Sequence, residues 1–352
     1  MPTSVMVTGG LGYIGSHAVQ RLLRDGHEVV IVDNLFRGHR EVLELLAQEE
    51  SVATRMHFVH ADIANRSLVR EAIMQHRVDV VMHFAALAYV GESVESPLTY
   101  YRNNVAGLIE LLTAIDEARR ITGLGVSRFV FSSTCAVYGD TGDAERPLAE
   151  DTVLAPVSAY GRSKLMCEQI LRDEAARLAA SDVPIACAAL RYFNVCGCDR
   201  TGVLGEDHRP ETHLIPIILE VASGKRSHVA ILGDDYATPD GTAIRDYVHV
   251  EDLVDAHVRV MNAIKPGQHR VYNVGTGRGA SVLEVLRAVQ QVTGVGIPTR
   301  VLGRRSGDAA RAVANASCIM RELDWKPCLP HLPDMIASAW SWVRRHPGGY
   351  AS

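Results

Sequence analysis

Tyr160-Gly-Arg-Ser-Lys164 sets a phenol and an ammonium four residues apart, which on a helix is one face. A free tyrosine has a pKa of about 10 and is a poor base at neutral pH. A neighbouring lysine, helped by any further fixed positive charge, stabilises the phenolate through space and makes the pair a general acid and base. Upstream, Phe131-Ser132-Ser133-Thr134 closes an apolar run and offers a hydroxyl to share a substrate proton. Hydroxyl, phenol and ammonium together describe hydride chemistry at a carbinol. The Tyr-x-x-x-Lys spacing recurs by chance in many helices, so its weight depends on what the rest of the chain supplies.

A second group of residues supplies it. Thr8-Gly9-Gly10-Leu11-Gly12-Tyr13-Ile14-Gly15 lies between the first apolar run and the first helical pattern. Gly9 and Gly12 permit a tight turn whose N–H groups approach a pyrophosphate at the positive end of a helix, and Gly15 lets helix and sheet pack closely. Asp33 ends the second apolar run, where a carboxylate accepts from an adenine-ribose diol and repels a 2′-phosphate. That favours NAD over NADP, while Arg37 and Arg40 nearby keep NADP open. Asp62-Ile63 has two readings that spacing does not separate: a seat for adenine, or a capping Asp before a core Ile.

The elements that must position these residues follow from the hydrophobic pattern. Apolar runs at 5–8, 29–32, 56–60, 80–84, 128–132 and 183–191 alternate with helical patterns at 16–25, 40–50, 67–76, 98–120 and 160–179. Strand and helix in alternation predict an α/β chain, a Rossmann doubly wound parallel sheet. After Asn194 the texture changes, with Gly and Pro clusters at 197–210, 233–241 and 294–307. The predicted division is a cofactor domain at 1–190, to which 245–265 returns, and a smaller mixed α/β substrate domain at 191–352.

Composition narrows the partners. Across 352 residues, 36 basic and 41 acidic side chains leave a net charge of -5 with no block of like charge, which argues against nucleic acid or a membrane surface as partner. No window approaches the about 18 apolar residues of a spanning helix, and the apolar run at Val5 leaves no room for a signal peptide, so a cytoplasmic location is expected. Seven cysteines without a C-x-x-C pair read as reduced thiols, and Cys196-Gly-Cys198 as packing. The fifteen histidines are scattered, and no metal site is expected.

Together these landmarks resemble the extended short-chain dehydrogenases/reductases, and within them the UDP-glucose (UDP-galactose) 4-epimerase family. The resemblance runs from the first strand to the C-terminus, through TGGLGYIGSH at 8–17, DNL at 33–35, DI at 62–63, HFAA at 83–86, VGES at 90–93, SSTCAVYG at 132–139, YGRSK at 160–164, LRYFN at 190–194, DGTAIRDYVHVEDL at 240–253, YNVGTG at 272–277 and GRRSGD at 303–308. It implies NAD held through the whole cycle, with Thr134, Tyr160 and Lys164 as the catalytic hydroxyl, phenol and ammonium. It implies cofactor contacts from Gly9, Gly12, Tyr13, Ile14, Gly15, Asp33, Asn34, Asp62, Ile63, Phe84, Ala85, Asn103, Ser132, Tyr160, Lys164 and Tyr192. For the UDP-sugar it implies Thr134, Tyr160, Asn194, His213, Leu214, Ala230, Leu232, Arg245, Arg305, Asp308 and Ala312. The expected reaction takes a proton from the C4 hydroxyl and hydride from C4, turns the flat 4-keto sugar, and returns both. The family also implies a homodimer, here through the helices at 98–120 and 160–179.

Dehydratases and decarboxylases of the same superfamily place an acid, often Asp-Glu, after that hydroxyl. Here Cys135 and Ala136 stand there, so elimination lacks its catalyst. Other departures bear on the substrate. Ala88 stands where common bacterial hexose epimerases carry Lys. AYVGES and the ending from His346 resemble a UDP-arabinose/UDP-xylose branch, so pentoses stay in play. His213 replaces a family Asn, and Ala312 occupies a gate position where Tyr limits the sugar pocket, so a small residue there should admit N-acetylhexosamines. Two competing readings share the fold, a non-catalytic NAD sensor and an oxidoreductase that releases its keto sugar. The sensor reading calls for loss of Tyr160 or Lys164, and both are present.

Overall fold

The computed structural model describes residues 3–48, 50–140, 146–305 and 307–350; Ser306 of the GRRSGD stretch and the last two residues of the C-terminal ending lie outside the described residues. Thirteen strands are present among them: β1 (Ser4–Thr8), β2 (Glu28–Asp33), β3 (Met56–His60), β4 (Val80–His83), β5 (Arg128–Ser132), β6 (Ala186–Tyr192), β7 (Asn194–Cys196), β8 (Val229–Leu232), β9 (Ile244–His249), β10 (His269–Val274), β11 (Gly279–Ser281), β12 (Thr299–Leu302) and β13 (Arg311–Ala312). Seven form one parallel sheet in the order β10-β6-β5-β4-β1-β2-β3. Strand order reverses between β1 and β4, whose carboxyl ends bracket the crevice where such sheets take their ligands. With helices on both faces, the central strands are apolar through their middles: Val5, Met6, Val7 and Val29 to Val32 are wholly buried.

The chain forms two compact units. The first comprises Met1–Thr134, Ser158–Arg191 and Val254–Tyr272, the second Cys135–Val157, Tyr192–Leu253 and Asn273–Ser352. Against the division expected from sequence, 135–157 belongs with the second unit, and the returning segment is 254–272 in place of 245–265. The return is physical: β10 extends the parallel sheet beside β6, and Cys187 donates its N–H to the Gln268 carbonyl.

The run at 98–120 differs from its expected single helix. It is built as Pro97–Tyr100, a π-helical stretch Tyr101–Ala106, then Gly107–Thr122. Asn104 explains the widened turn. Its buried amide donates to the Leu87 carbonyl (3.0 Å) and to Ser163 Oγ (3.0 Å), and its oxygen accepts the Leu87 N–H (2.9 Å). Three contacts from one side chain hold the helix to the loop after β4 and to the helix Ala159–Leu178, and a local π-turn lets the amide reach them.

In the second unit β9 is central. β7 runs parallel to it (Asn194 opposite Tyr247), β13 parallel (Ala312 opposite Arg245) and β11 antiparallel (Ala280 opposite Arg245). The helices Leu214–Ala222, Val282–Thr293 and Leu332–Arg345 enclose a core of Ile215, Ile218, Val285, Val289, Met335 and Ile336. Cys196 and Cys198 are buried free thiols, with Cys198 Sγ donating to the Ser338 carbonyl, as the packing reading requires. Among the described residues, no helix is long and apolar enough to cross a membrane.

Candidate active site

The glycine turn is built from steric necessity. Gly9 has φ +69°, and a Cβ there would lie 2.7 Å from the Ala85 nitrogen; at Gly15 a Cβ would lie 2.0 Å from the Gly9 carbonyl oxygen. Phe84 and Ala85 both donate N–H to the Thr8 carbonyl, closing the end of β4 onto β1. At Gly12, by contrast, a Cβ would meet nothing nearer than 3.5 Å. Gly12 is also the N-cap of the helix Tyr13–Arg24, which has no side-chain cap and no acid in its first turn. Its N–H groups and positive dipole end therefore face an open approach of the kind that receives phosphate. Tyr13 and Ile14 are half-buried in that first turn.

Asp33 is buried at the end of β2. Its two oxygens accept the N–H groups of Leu11 (3.0 Å) and Leu35 (2.8 Å), and burial raises its pKa. Asn34 donates to Asp62 (2.8 Å), tying the end of β2 to the end of β3. Asp62 is exposed and also accepts the Ala64 N–H, whereas Ile63 sits in the core. The cap of the next helix is Asn65, not Asp62. Arg37 is committed elsewhere: it pairs with Glu92 (3.0 Å) and stacks 4.0 Å from the Tyr89 ring. Arg40 stands near the Phe58 ring. Phe84 packs 4.9 Å from His257 of the returning helix, and Asn103 donates to the Asn104 oxygen.

Tyr160 and Lys164 lie one turn apart at the start of the helix Ala159–Leu178, whose N-cap Ser158 accepts the Gly161 N–H. Lys164 is buried; its Nζ donates to the Ser132 carbonyl at the end of β5 (2.7 Å) and lies 4.7 Å from the Phe131 ring. Burial lowers its pKa to about 8, opposed by Cys167 and Glu168. Burial, reinforced by the Lys164 charge, holds His83 at about 3, so it is a neutral partner for Thr8 Oγ1 (2.6 Å). Tyr160 is nearly buried, edge-on to Tyr100, and Thr134 is buried at the end of the first unit.

One further turn along this helix is Glu168, which sequence reading missed. It accepts from Ser133 Oγ and from Arg191 (Nη2, 2.6 Å; Nε, 3.0 Å), with both charged side chains about 5% exposed or less. Glu168 thus pins the helix to the ends of β5 and β6 and keeps the Ser132-Ser133-Thr134 turn in place. Its signal was present, since 160, 164 and 168 step down one helix face.

The second unit collects most of the residues expected at the nucleotide. Paired residues share a face of a sheet, so Asn194, Tyr247, Arg245, Ala280 and Ala312 lie on one side, and small residues flank Arg245 on both of its neighbours. Arg245 lies 3.5 Å from Asp308, which also pairs with Arg305 (2.8 Å). The opposite face of β9 carries Asp246, also missed; it accepts from Thr276, Gly277 and Ala314 and so orders the YNVGTG turn. Ala230 and Leu232 lie on β8, and Tyr192 ends β6 half-buried. His213 caps the helix that Leu214 opens, with Nδ1 between Glu206 (2.9 Å) and Glu211 (3.0 Å). Its neighbours raise its pKa to about 10 against the effect of burial.

A doubly wound sheet with an open glycine turn at its switch point and a buried Tyr-Lys helix face defines a Rossmann-type protein of the extended short-chain dehydrogenase/reductase class. The chain belongs to the NAD dependent epimerase/dehydratase family, whose profile matches residues 5–275. It is 43% identical over 347 residues to a UDP-glucose 4-epimerase of Lactobacillus helveticus, covering 98% of each chain. It is 41% identical to a probable UDP-arabinose 4-epimerase of Oryza sativa, covering 99% of this chain and 84% of that one. Among solved structures it resembles the UDP-glucose 4-epimerase of Stenotrophomonas maltophila with bound NAD and formylated UDP-arabinopyranose, at TM-score 0.89, 41% identity and coverage of 98% and 99%.

Proposed function

We propose that this protein is an isomerase that inverts C4 of a UDP-sugar, UDP-glucose/UDP-galactose first and N-acetylhexosamines also, with NAD retained through the cycle. The observation that carries it is the buried Lys164 ammonium, fixed on the Ser132 carbonyl one helical turn from Tyr160. The first unit fits NAD: the glycine turn presents the uncapped N-terminus of the helix Tyr13–Arg24 with room for a close approach at Gly12, Asp33 presents a carboxylate at the end of β2, and Arg37, which with Arg40 kept NADP in play, is engaged by Glu92. Gly9, Gly12, Tyr13, Ile14 and Gly15 would hold the pyrophosphate, Asp33 and Asn34 the ribose, Asp62 and Ile63 the adenine, and Phe84, Ala85, Asn103, Ser132 and Tyr192 the remainder. When bound, NAD supplies the acceptor and donor of hydride at C4.

This chain's residues do the rest. Lys164 lowers the cost of a Tyr160 phenolate, which takes the C4 hydroxyl proton and later returns it. Thr134 shares that proton, and Glu168 keeps the turn bearing Thr134 in register. Asn194, Arg245, Arg305 and Asp308 hold the UDP end, with His213, Leu214, Ala230 and Leu232 around it. Guanidinium forks suit diphosphate oxygens. A firm grip on UDP and a loose one on the sugar let the flat 4-keto sugar turn over. Cys135 and Ala136 offer no acid for elimination.

A pentose reading is supported by the similarity to the rice UDP-arabinose epimerase. The same reading includes a cytoplasmic location and a homodimer; Ile109 and Met166, more than 40% exposed on the helices Gly107–Thr122 and Ala159–Leu178, support the interface. The deciding experiment incubates purified protein, without added NAD, with UDP-galactose, UDP-GlcNAc and UDP-xylose separately. Formation of the C4 epimer is expected; a requirement for added NAD, or accumulation of a keto sugar, contradicts the retained-cofactor cycle.

A further inference from the structure

Four residues that composition leaves scattered converge just before the helix Leu214–Ala222: Glu206, His208, Glu211 and His213. One donor atom from each lies within 4.8 Å of all the others. Both histidines turn Nδ1 inward. His213 Nδ1 is 2.9 Å from Glu206 Oε1 and 3.0 Å from Glu211 Oε1; His208 Nδ1 is 3.2 Å from Glu206 Oε1 and 3.6 Å from Glu211 Oε2. Bonds of about 2.0–2.2 Å in a tetrahedral shell place neighbouring donors about 3.3–3.6 Å apart, so shifts of a few tenths of an ångström bring these imidazole–carboxylate pairs onto the edges of such a shell.

We propose that Glu206, His208, Glu211 and His213 bind one divalent transition-metal ion of the zinc type. Two imidazoles and two carboxylates are a donor set for zinc or cobalt, and two neutral imidazoles with two carboxylates around a dication form a neutral group. The glutamate side chains are only 9% and 6% exposed, so both carboxylates are held against the two imidazoles away from water. Outer contacts already orient the set: the N–H groups of Thr212 and His213 both donate to Glu211 Oε1 at 2.7 Å. Such partners are what tune metal ligands. The ion cross-links 206–213 into a closed loop ahead of the helix, and the Nε2 of His213 remains outside the donor set. The local pattern Glu-x-His-x-x-Glu-x-His is the signal in the sequence.

The test uses the full chain as purified, stripped with a chelator and titrated with cobalt(II). Four-coordinate cobalt absorbs in the visible; saturation at one ion per chain is expected, with zinc abolishing the bands and restoring a Tm lowered by chelation. His208→Asn, which keeps a hydrogen-bonding group but not the imidazole ligand, should bind no cobalt and show a Tm indifferent to zinc. If His208→Asn does not fold, Glu206→Gln is read in the same way, and the wild-type titration decides by itself. Absence of cobalt bands in wild type together with a Tm unmoved by chelator and zinc means a network of His–Glu ion pairs only and overturns the proposal. Cobalt retained undiminished by a folded His208→Asn also overturns it, because the ion then lies elsewhere.

Discussion

At the scale of single residues, the proposed chemistry depends on a charge held where water does not reach. Burial lowers Lys164 to about 8, so its ammonium is complete below that pH and lost above it. If that charge stabilises the Tyr160 phenolate, turnover declines as pH rises through about 8. Lys164→Met should remove this limb and lower kcat by about 10²–10⁴-fold, the range for general acid–base catalysis; kcat profiles for UDP-galactose from pH 6 to 10 check both. Stability runs the other way. An unfolded lysine keeps its proton to about 10.4, so between the two values the unfolded chain binds more protons and the folded state gains as pH rises. In the second unit, Ala312 lies directly beside Arg245 in the sheet register. Ala312→Tyr fills that face, and turnover of UDP-GlcNAc should fall by about 100-fold or more while UDP-galactose is still converted. Parallel kinetics on the two sugars read the ratio.

At the scale of elements, the helix Ala159–Leu178 is held in place by two buried polar anchors. Asn104 reaches Ser163 from the π-helical turn, and Glu168 joins Ser133 on one strand end to Arg191 on another. Removing one partner of a buried pair strands the other charge, at a cost of about 3–5 kcal/mol. Glu168→Leu should therefore lower unfolding stability by that order in urea titrations. A loss under 1 kcal/mol would show that Arg191 finds another partner. Most strands and helices of this unit were legible as apolar runs and amphipathic patterns bounded by glycine or polar residues, whereas the edge strand β10 was not. The π-turn at 101–106 was not, because its cause is Asn104 meeting Leu87 and Ser163, residues distant in sequence.

At the scale of the whole molecule, the proposed dimer predicts a specific loss. Ile109→Glu puts a charge on an exposed apolar helix face, and sedimentation should show the molecular mass halving while far-UV circular dichroism is unchanged. An undisturbed dimer would move the interface elsewhere. Solubility should not suffer, since the chain's net charge of -5 becomes more negative.

The glycine turn, Asp33, the Tyr160–Lys164 pair and the absence of an acid at 135–136 were written in the sequence. Each belongs to a local pattern with a local reason: a turn that only glycine permits, a carboxylate at a strand end, two residues on one helical face. Tertiary structure decided what those patterns do not contain. It gave Lys164 its carbonyl partner and its low pKa, because both need β5 beneath the helix. It used Arg37 on Glu92, and it placed Asn194, Arg245 and Ala312 on one face through a register no single strand encodes. It also gathered Glu206, His208, Glu211 and His213 around one point. Burial and register are properties of neighbours brought together by the fold, and residue types in order specify them only once the chain has closed on itself.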